Sequence, residues 1–179
     1  MRIDSVSSPA MHLSAQEEYG LRCLARLARH EGSEPVRIQD IAEAEGLSPE
    51  YVAKLMRILR NGGIVTSTRG AAGGYHLRRP ASQITLWEAI EVLGGPFFHD
   101  SFCDSHPGSL RDCVHTTNCA IRATWRTVSG LLRTALSAIT VEDLKREEES
   151  TFMWLSDDAR APVAGAGWAN VRGESEGES

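Results

Sequence analysis

Residues 47–77 read LSPEYVAKLMRILRNGGIVTSTRGAAGGYHL. Ser48 and Pro49 are typical of a helix start, because a hydroxyl can cap an otherwise unpaired amide and proline has no amide proton to leave unpaired. Apolar residues then recur at steps of three and four, which predicts a helix with one buried face; they are Val52, Leu55, Met56 and Leu59. The NGG of residues 61–63 should end this helix, since glycine tolerates positive φ.

A glycine-rich hairpin should follow the helix. Residues 64–68 are rich in the β-branched side chains that strands favour, and residues 75–79 can form the returning strand. The segment between them, residues 69–74, reads RGAAGG, and its small side chains allow the backbone to approach another surface closely. A hairpin of this kind beside a DNA-reading helix is a wing.

Charge distinguishes a wing from an ordinary solvated hairpin. Residues 48–79 contain six bases and one acid, whereas the whole chain has a formal net charge of −5 and a pI of about 5.7. A locally basic patch on an acidic chain indicates contact with the phosphate backbone of a nucleic acid. We therefore predict that double-stranded DNA is contacted by Ser48, Pro49, Glu50, Tyr51, Lys54, Arg57, Arg69, Gly70, Tyr75 and His76.

Two further helix patterns precede this stretch. Ser14 and Glu17 have the spacing of a capping box, and an apolar stripe continues from them towards Gly32. Residues 36–46 form a short amphipathic pattern that ends at a glycine two residues before Ser48. Two helices joined by so brief a turn predict a helix-turn-helix, whose first helix braces the second against the groove of DNA.

One more helix is expected directly after the hairpin. Thr85 and Glu88 have the spacing of a second capping box at its start. The helix should stop at residues 94–96, which read GGP. Trp87 lies on its apolar face, so we expect this side chain to anchor the core rather than to stack on a base.

The C-terminal half carries a heptad pattern of apolar residues, formed by Ile121, Trp125, Val128, Leu132, Ala135 and Ile139. The run is shorter than the three or four heptads of a free-standing coiled coil, so burial within one subunit is an alternative. A dimerisation helix is favoured, because a helix-turn-helix protein normally reads DNA as a two-fold dimer. Thr140 is placed to cap a further short helix over residues 141–149.

The 179 residues are enough for one domain with extensions. We expect a mainly α fold with a small β-hairpin wing, namely a winged helix-turn-helix plus a long dimerisation helix. The expected divisions are a flexible extension (1–10), the DNA-binding domain (11–96), a cysteine-bearing loop (97–118), the dimerisation helix with a short following helix (119–149) and a disordered acidic tail (150–179). No apolar run reaches the roughly 20 residues that span a bilayer, and no signal-peptide stretch is present, which predicts a cytoplasmic protein without a membrane partner.

Three of the four cysteines, Cys103, Cys113 and Cys119, fall within one short segment. Thiolates suit iron–sulfur clusters, zinc or copper(I), and three of them leave one coordination position for another residue or a small molecule. An iron–sulfur cluster is our first interpretation of this segment. Zinc bound together with a histidine such as His106 or His115, a cluster-free thiol switch and an inert loop are the alternatives.

Nothing in the sequence indicates an enzyme. Paired carboxylates, a nucleophile with its base, and a phosphate-binding loop that leads into a helix are not found. The remaining cysteine, Cys23, lies among apolar residues of the first predicted helix and is expected to be a packed thiol. The competing class of function is a small metal or redox protein whose basic hairpin is incidental.

The stretch GLSPEYVAKLMRILRNGGIVTSTRGAAGGYHLRRPASQITLWEAIEVLGGP, followed by the cysteine-bearing loop and CAIRATWRTVSGLLRTALSAIT, resembles the IscR/NsrR family of winged-helix transcription regulators. The likeness covers roughly residues 11–144. It implies a homodimer that binds a two-fold DNA site, usually as a repressor. It also implies that DNA affinity responds to an iron–sulfur cluster, 2Fe-2S or 4Fe-4S, which senses nitric oxide, iron or redox state.

The resemblance implies that Cys103, Cys113 and Cys119 hold the cluster, although their spacing departs from the usual five intervening residues. Nine residues lie between the first two cysteines and five between the last two. Arg122 stands where some 2Fe-2S members carry a histidine ligand. Other members take an acidic residue from the first helix of the partner subunit, just before an aromatic residue, and Glu18 stands in that place.

Overall fold

The computed structural model describes residues 13–70, 73–95 and 119–146. The helices are α1 (Ala15–Arg29), α2 (Ile38–Glu45), α3 (Pro49–Asn61), α4 (Leu86–Gly94) and α5 (Ala120–Ser137), and the strands are β1 (Val65–Thr68) and β2 (Gly74–Leu77). Helices α1 to α4 and the hairpin enclose one apolar core, whose largest fully buried side chains include Leu24, Ile41, Leu55, Met56, Leu59, Ile64, Ile84 and Ile90.

The first helix begins at the predicted capping box. The Ser14 hydroxyl accepts a hydrogen bond from the Glu17 amide at 3.2 Å, and the Glu17 carboxylate accepts one from the Ser14 amide at 2.7 Å. Further along α1, Gly20 faces α4 so closely that a Cβ there would collide with Leu93. The sequence of α1 therefore sets both where the helix begins and how near it lies to α4.

The helix-turn-helix forms as predicted. Helix α2 ends at Gly46, whose φ of 65° is left-handed and whose amide donates to the Ala42 carbonyl oxygen. The Ser48 hydroxyl then caps α3 by accepting from the Tyr51 amide at 3.2 Å, and Pro49 occupies the first helical position. The buried face of α3 consists of the four predicted residues Val52, Leu55, Met56 and Leu59.

The wing is a two-stranded antiparallel hairpin in which Val65 pairs with Leu77 and Thr68 pairs with Gly74. Its returning strand is also bonded to the segment before α2. The Val36 amide donates to the Tyr75 carbonyl oxygen at 2.9 Å, and the Tyr75 amide donates to the Val36 carbonyl oxygen at 2.8 Å. This isolated bridge, added to the pairing of the two strands, fixes the wing to the segment that leads into α2.

The helix after the wing is confirmed, and Trp87 is buried, with 7% of its surface exposed. One of the two hydrogen bonds of the predicted capping box is present: the Thr85 hydroxyl accepts from the Glu88 amide at 3.2 Å. The Glu88 carboxylate accepts instead from the guanidinium of Arg79. A residue at the base of the wing is thereby tied to the first turn of α4.

Helix α5 does not bury any of its residues within its own subunit. Ile121 and Leu131 are each 62% exposed, Trp125 is 48% exposed, and Val128 and Leu132 are half-buried. The alternative that this helix is buried in the monomer is therefore wrong. Of the six predicted heptad residues, Ile121 and Trp125 are exposed and the other four are half-buried, so the exposed pair remains available for the predicted contact with a second copy.

The short helix predicted over residues 141–149 is wrong for the part that the structure describes, which contains a single 3₁₀ turn, Asp143–Lys145. The Thr140 hydroxyl donates to Asp143 instead of accepting from an amide as a helix cap would, and the backbone that follows is bonded to a distant part of the chain. The Val141 amide donates to the Ile84 carbonyl oxygen at 2.8 Å, and the Val141 side chain is fully buried. The Asp143 carboxylate accepts from both the amide and the hydroxyl of Thr140, at 2.9 and 2.7 Å.

Several predictions fall outside the described residues. They concern the extension at residues 1–10, the whole of the loop at 97–118 with Cys103 and Cys113, and the tail at 150–179. Within the described ranges, no helix is long and apolar enough to cross a membrane.

Candidate DNA interface and cluster ligands

The outer face of α3 is basic and accessible. Glu50, Lys54 and Arg57 are exposed on the side of the helix opposite to its buried face. Of the residues predicted to contact DNA, eight are exposed, namely Ser48, Pro49, Glu50, Lys54, Arg57, Arg69, Gly70 and His76. The structure thus leaves eight of the ten predicted contacts accessible on α3, its N-cap residue and the wing.

Tyr51, the ninth predicted contact, is half-buried because it packs against the first helix. Its ring meets that of Tyr19 edge to face, with centroids 6.0 Å apart and an interplanar angle of 85°. The amine of Lys54 lies 5.7 Å from the centre of the Tyr51 ring. Tyr51 therefore joins α1 to the N-terminal turn of α3 and also positions a cation on the outer face.

Tyr75 and His76 show the alternation expected of a strand. Tyr75 is half-buried against the core, whereas its neighbour His76 is exposed. The burial of the Tyr75 ring makes it a support of the wing, and His76 is left as the outward-facing side chain. At the other end of the hairpin, Arg69 is exposed and Gly70 has a φ of 111°, a conformation that favours glycine.

Two exposed arginines extend the same surface beyond the residues predicted individually. Arg60 lies three residues after Arg57 on α3, and its helical spacing was the signal that could have identified it. Arg78 leaves the hairpin beside the end of α3, where its Nη1 lies 3.8 Å from the position that a Cβ on Gly63 would take. We define the basic surface as Lys54, Arg57, Arg60, Arg69 and Arg78.

One predicted cluster ligand, Cys119, is the N-cap residue of α5. Its Sγ accepts a hydrogen bond from the Arg122 amide at 3.4 Å, and the residue is partly exposed. An electron-rich sulfur suits a helix N-terminus, because the helix dipole favours negative charge there. Within the described part of the chain, no group of three or more His, Cys, Asp or Glu side chains is arranged to hold a metal ion.

The other predicted ligand among the described residues, Glu18, is exposed in the first turn of α1. Its Oε1 lies 4.0 Å from Nη1 of Arg22, and both side chains are largely in solvent. The neighbouring residue is Tyr19, which contacts the recognition helix through Tyr51. Glu18 is therefore one residue away from a side chain that touches α3.

Cys23 is a packed thiol, as predicted. It is completely buried in α1, and burial raises its pKa from an ordinary 9.0 to about 12, an effect to which the nearby carboxylate of Glu45 adds. A thiol that stays protonated is a poor nucleophile and a poor metal ligand. Cys23 is therefore separated chemically from the cysteines of the loop.

Comparison with known proteins shows the same fold and class. A family model described as "Rrf2: Iron-dependent Transcriptional regulator" matches residues 13–147. Protein rrf2 of Nitratidesulfovibrio vulgaris is 35% identical over 140 residues, which cover 76% of this chain and 89% of the relative. The HTH-type transcriptional regulator IscR of Photorhabdus laumondii is 33% identical over 78% of this chain and 82% of its own length.

Solved structures agree with this result. IscR of T. potens has a TM-score of 0.60 at 32% identity and covers 78% of this chain and 90% of its own. CymR, the global cysteine regulator of B. subtilis, also has a TM-score of 0.60 at 32% identity and covers 76% and 97%. These likenesses confirm the predicted winged helix-turn-helix, and the relatives are named as transcriptional regulators rather than as enzymes.

Proposed function

Because the chain belongs to the Rrf2 family of transcriptional regulators, we propose that it is a homodimeric repressor whose affinity for operator DNA is controlled by an iron–sulfur cluster. The observation that carries the DNA-binding part is the basic surface on α3 and the wing, which stands on a chain of net charge −5. The proposal places this protein in the cytoplasm, where its DNA target is accessible.

The recognition helix would enter the major groove with its outer face. Lys54 and Arg57 extend from that face, and Arg69 extends from the tip of the wing. Side chains of this type contact phosphates when they only position the protein, and they contact base edges when they read sequence. In this arrangement α2 braces α3, and the bonds between Val36 and Tyr75 hold the wing at a fixed distance from the helix.

Dimerisation would use α5. Its apolar side chains at Ile121, Trp125 and Leu131 are exposed in the single subunit, and covering them with a second copy removes apolar surface from water. A two-fold axis through paired α5 helices would place the two α3 helices on successive turns of a DNA site with matching symmetry.

The cluster would be held by Cys103, Cys113 and Cys119, with Glu18 of the opposite subunit as the fourth ligand. The two described members of this set fit that chemistry, because the Cys119 sulfur is partly exposed and the Glu18 carboxylate is exposed. When bound, such a cluster supplies iron that small molecules such as nitric oxide can attack, since carboxylate is a weaker ligand for iron than thiolate.

A chain of contacting residues would connect the cluster site to the DNA-binding surface. Glu18 lies next to Tyr19, the Tyr19 ring contacts that of Tyr51, and Tyr51 lies in the first turn of α3. If the bond between Glu18 and the cluster were lost, the position of α1 against the recognition helix would therefore change. The two states would differ in the spacing of the two α3 helices, and DNA affinity would follow.

A second candidate is supported by the CymR structures, one of which is the oxidized form from Staphylococcus aureus. In that case the loop cysteines would act as a cluster-free thiol switch, or bind zinc with His106 or His115. The DNA-binding part of the proposal is the same for both candidates. The two candidates predict different metal and sulfide contents for the purified protein.

The deciding experiment combines anaerobic purification with DNA titration. We expect stoichiometric iron and acid-labile sulfide with visible absorption, whereas zinc without sulfide would establish the zinc candidate. Binding to duplex DNA should weaken steeply with salt, because neutralised phosphates release counterions. Arg69→Ala should weaken binding to every duplex if it meets phosphate, or relax preference at one base pair if it reads an edge. Arg29→Ala, an exposed change on α1, is the control.

Ligand assignment is tested by anaerobic reconstitution of three variants. Cys113→Ala should abolish the cluster spectrum, Glu18→Ala should retain a cluster with an altered rate of reaction with nitric oxide, and the exposed Glu91→Ala on α4 should match the wild type. If Glu18→Ala leaves the spectrum, the reaction rate and the DNA affinity unchanged, the cross-subunit carboxylate is wrong and His99, His106 and His115 become the candidates.

A further inference from the structure

The last part of the chain lies, apart from its first residue, beyond the region that the family model matches. The family match ends at residue 147, and residues 147–179 follow the last described residue, Arg146. This segment contains eight acids and two bases; the acids are Glu147, Glu148, Glu149, Asp157, Asp158, Glu174, Glu176 and Glu178. Its charge is opposite in sign to that of the basic surface.

The basic surface itself is not neutralised by the folded domain. All five of its members are exposed. Among the described residues, the ion pairs involve other bases, namely Arg22, Arg79, Lys145 and Arg146, and none joins a member of the basic surface to a carboxylate. Glu50 is the single acid between residues 48 and 79. Within the residues that the structure describes, the folded domain therefore presents a surface whose positive charge is not paired with carboxylates.

We propose that the acidic segment at residues 147–179 binds the basic surface of its own dimer and competes with DNA for it. This inference rests on the proposed function, because it assumes that DNA uses the same surface. Length is no obstacle, since 33 residues can span at most about 110 Å, and a domain of about 110 residues has a radius of gyration near 13 Å. The carboxylates would occupy the positions of DNA phosphates beside Lys54 and the arginines.

Tethering makes even a weak contact effective. A covalently attached segment acts at an effective concentration on the order of 1 mM, so a segment with an intrinsic Kd of about 0.1 mM would lower DNA affinity about tenfold. The segment must leave before any duplex can bind. Operator DNA and unrelated DNA should therefore be weakened by the same factor, and their affinity ratio should not change.

Salt dependence gives the competition a second signature. When DNA binds an unoccupied basic surface, the basic side chains contact its phosphates and the counterions condensed on the DNA are released. When the acidic segment already occupies the surface, DNA must displace it. The freed carboxylates then take up cations from solution, which offsets part of the counterion release from DNA. The full chain should therefore show a shallower slope of log affinity against log salt than a chain whose segment is uncharged.

The test uses the full chain with the eight acids of the segment changed to their amides, from Glu147→Gln through Glu178→Gln. We expect this variant to bind an unrelated duplex about tenfold more tightly at about 50 mM salt and with a steeper salt slope, and the difference to shrink at about 200 mM salt. A variant with the charged residues of the segment in shuffled order should behave as the wild type. Added peptide 147–179 should weaken DNA binding by the neutralised variant.

Contact is measured directly by carbodiimide coupling, which condenses a carboxylate and an amine into an amide with loss of water. Lys54 and Lys145 are the two lysines of the chain, and Lys54 is the one on the basic surface. We expect mass spectrometry to find Lys54 coupled to the segment, and duplex DNA to suppress this product. Lys54→Arg should abolish the product.

Two negative results have different meanings. Equal DNA affinity of the wild-type and neutralised chains at low salt, together with no coupling to Lys54, would overturn the proposed competition while leaving DNA binding intact. If neither chain binds any duplex, the DNA-binding proposal itself fails. Coupling to Lys54 that DNA does not suppress would also contradict competition, because it would place the segment beside the surface without blocking it.

Discussion

The guanidinium of Arg22 on α1 is bonded to both the side chain and the backbone carbonyl of Glu45, the last residue of α2. Its Nε lies 3.1 Å from the Glu45 carboxylate, and its Nη2 donates to the Glu45 carbonyl oxygen at 2.8 Å. The Glu45 side chain is 13% exposed, so the contact is partly shielded from water. The turn of the helix-turn-helix is thus fastened to the helix that carries Glu18.

Replacing Arg22 by Gln should loosen the turn. We expect the free energy of unfolding to fall by about 1 kcal/mol, because one charge-assisted hydrogen bond and one partly exposed ion pair are lost. Urea unfolding followed by circular dichroism measures the change. Arg29→Gln, an exposed substitution on the same helix, is the control, and equal stability of the two variants would contradict the structural role of the contact.

Dimerisation should be abolished by charges on α5. Val128→Glu with Leu132→Glu places like charges at heptad positions, where burial against a second copy is costly. We expect a monomer by sedimentation and loss of binding to two-fold DNA sites. Because these two positions are half-buried, Trp125→Glu, at a residue 48% exposed, tests the same surface with less risk to the fold. A dimer that persists in both variants would remove α5 from the interface.

Gly74 should not accept a side chain. A Cβ at this position would lie 2.6 Å from the Val36 carbonyl oxygen, so Gly74→Ala must displace the strand that fixes the wing. We expect a loss of about 2 kcal/mol or more in unfolding free energy. Gly130→Ala on α5 is the matched change, since nothing lies within 4 Å of its Cβ position, and helix propensity should stabilise it by about 0.5–1 kcal/mol. Similar effects of both substitutions would contradict the close packing at Gly74.

The buried thiol of Cys23 should make stability depend on alkaline pH. The unfolded chain releases this proton near pH 9.0, while burial keeps the folded pKa near 12. Between those values the unfolded state binds fewer protons, so the contribution of Cys23 is complete below pH 9.0 and is lost as pH rises towards 12. The stability difference between wild type and Cys23→Ala should shift by up to about 1.4 kcal/mol per pH unit.

Alkylation at neutral pH gives an independent measurement. In the cluster-free protein, Cys23 should resist iodoacetamide in the folded state and react after unfolding, whereas the partly exposed Cys119 should react in both states. Mass spectrometry of the digested protein separates the two sites. Equal labelling rates in the native protein would contradict the burial of Cys23.

The parts of the fold that could be predicted are those set by neighbouring residues. Ser48 and Pro49 begin α3 where the sequence places them, because a cap depends on atoms three residues away. The helix predicted after Thr140 is wrong for the described residues, which form a 3₁₀ turn, and the backbone at Val141 is bonded to Ile84, more than fifty residues earlier in the chain. A contact of that range leaves no local pattern in the sequence.

In the candidate site, too, the features set by nearby residues could be predicted and those set by distant contacts could not. Helical periodicity correctly placed Lys54 and Arg57 on the outer face of α3. It could not show that Tyr51 packs against Tyr19, since that contact depends on how α1 lies against α3. The half-buried setting of Tyr75 likewise depends on the pairing of the wing with Val36, which is distant in sequence.

The backbone pairing after α5 has a mechanical consequence. The Leu86 amide donates to the Ile139 carbonyl oxygen at 2.8 Å, and the Val141 amide donates to the Ile84 carbonyl oxygen at the same distance. The end of α5 is thereby clamped to the start of α4, whose Glu88 is tied to the wing through Arg79. In a dimer formed through α5, this connection would transmit the arrangement of the paired α5 helices to the two recognition helices, so it would contribute to the distance between the half-sites that they read.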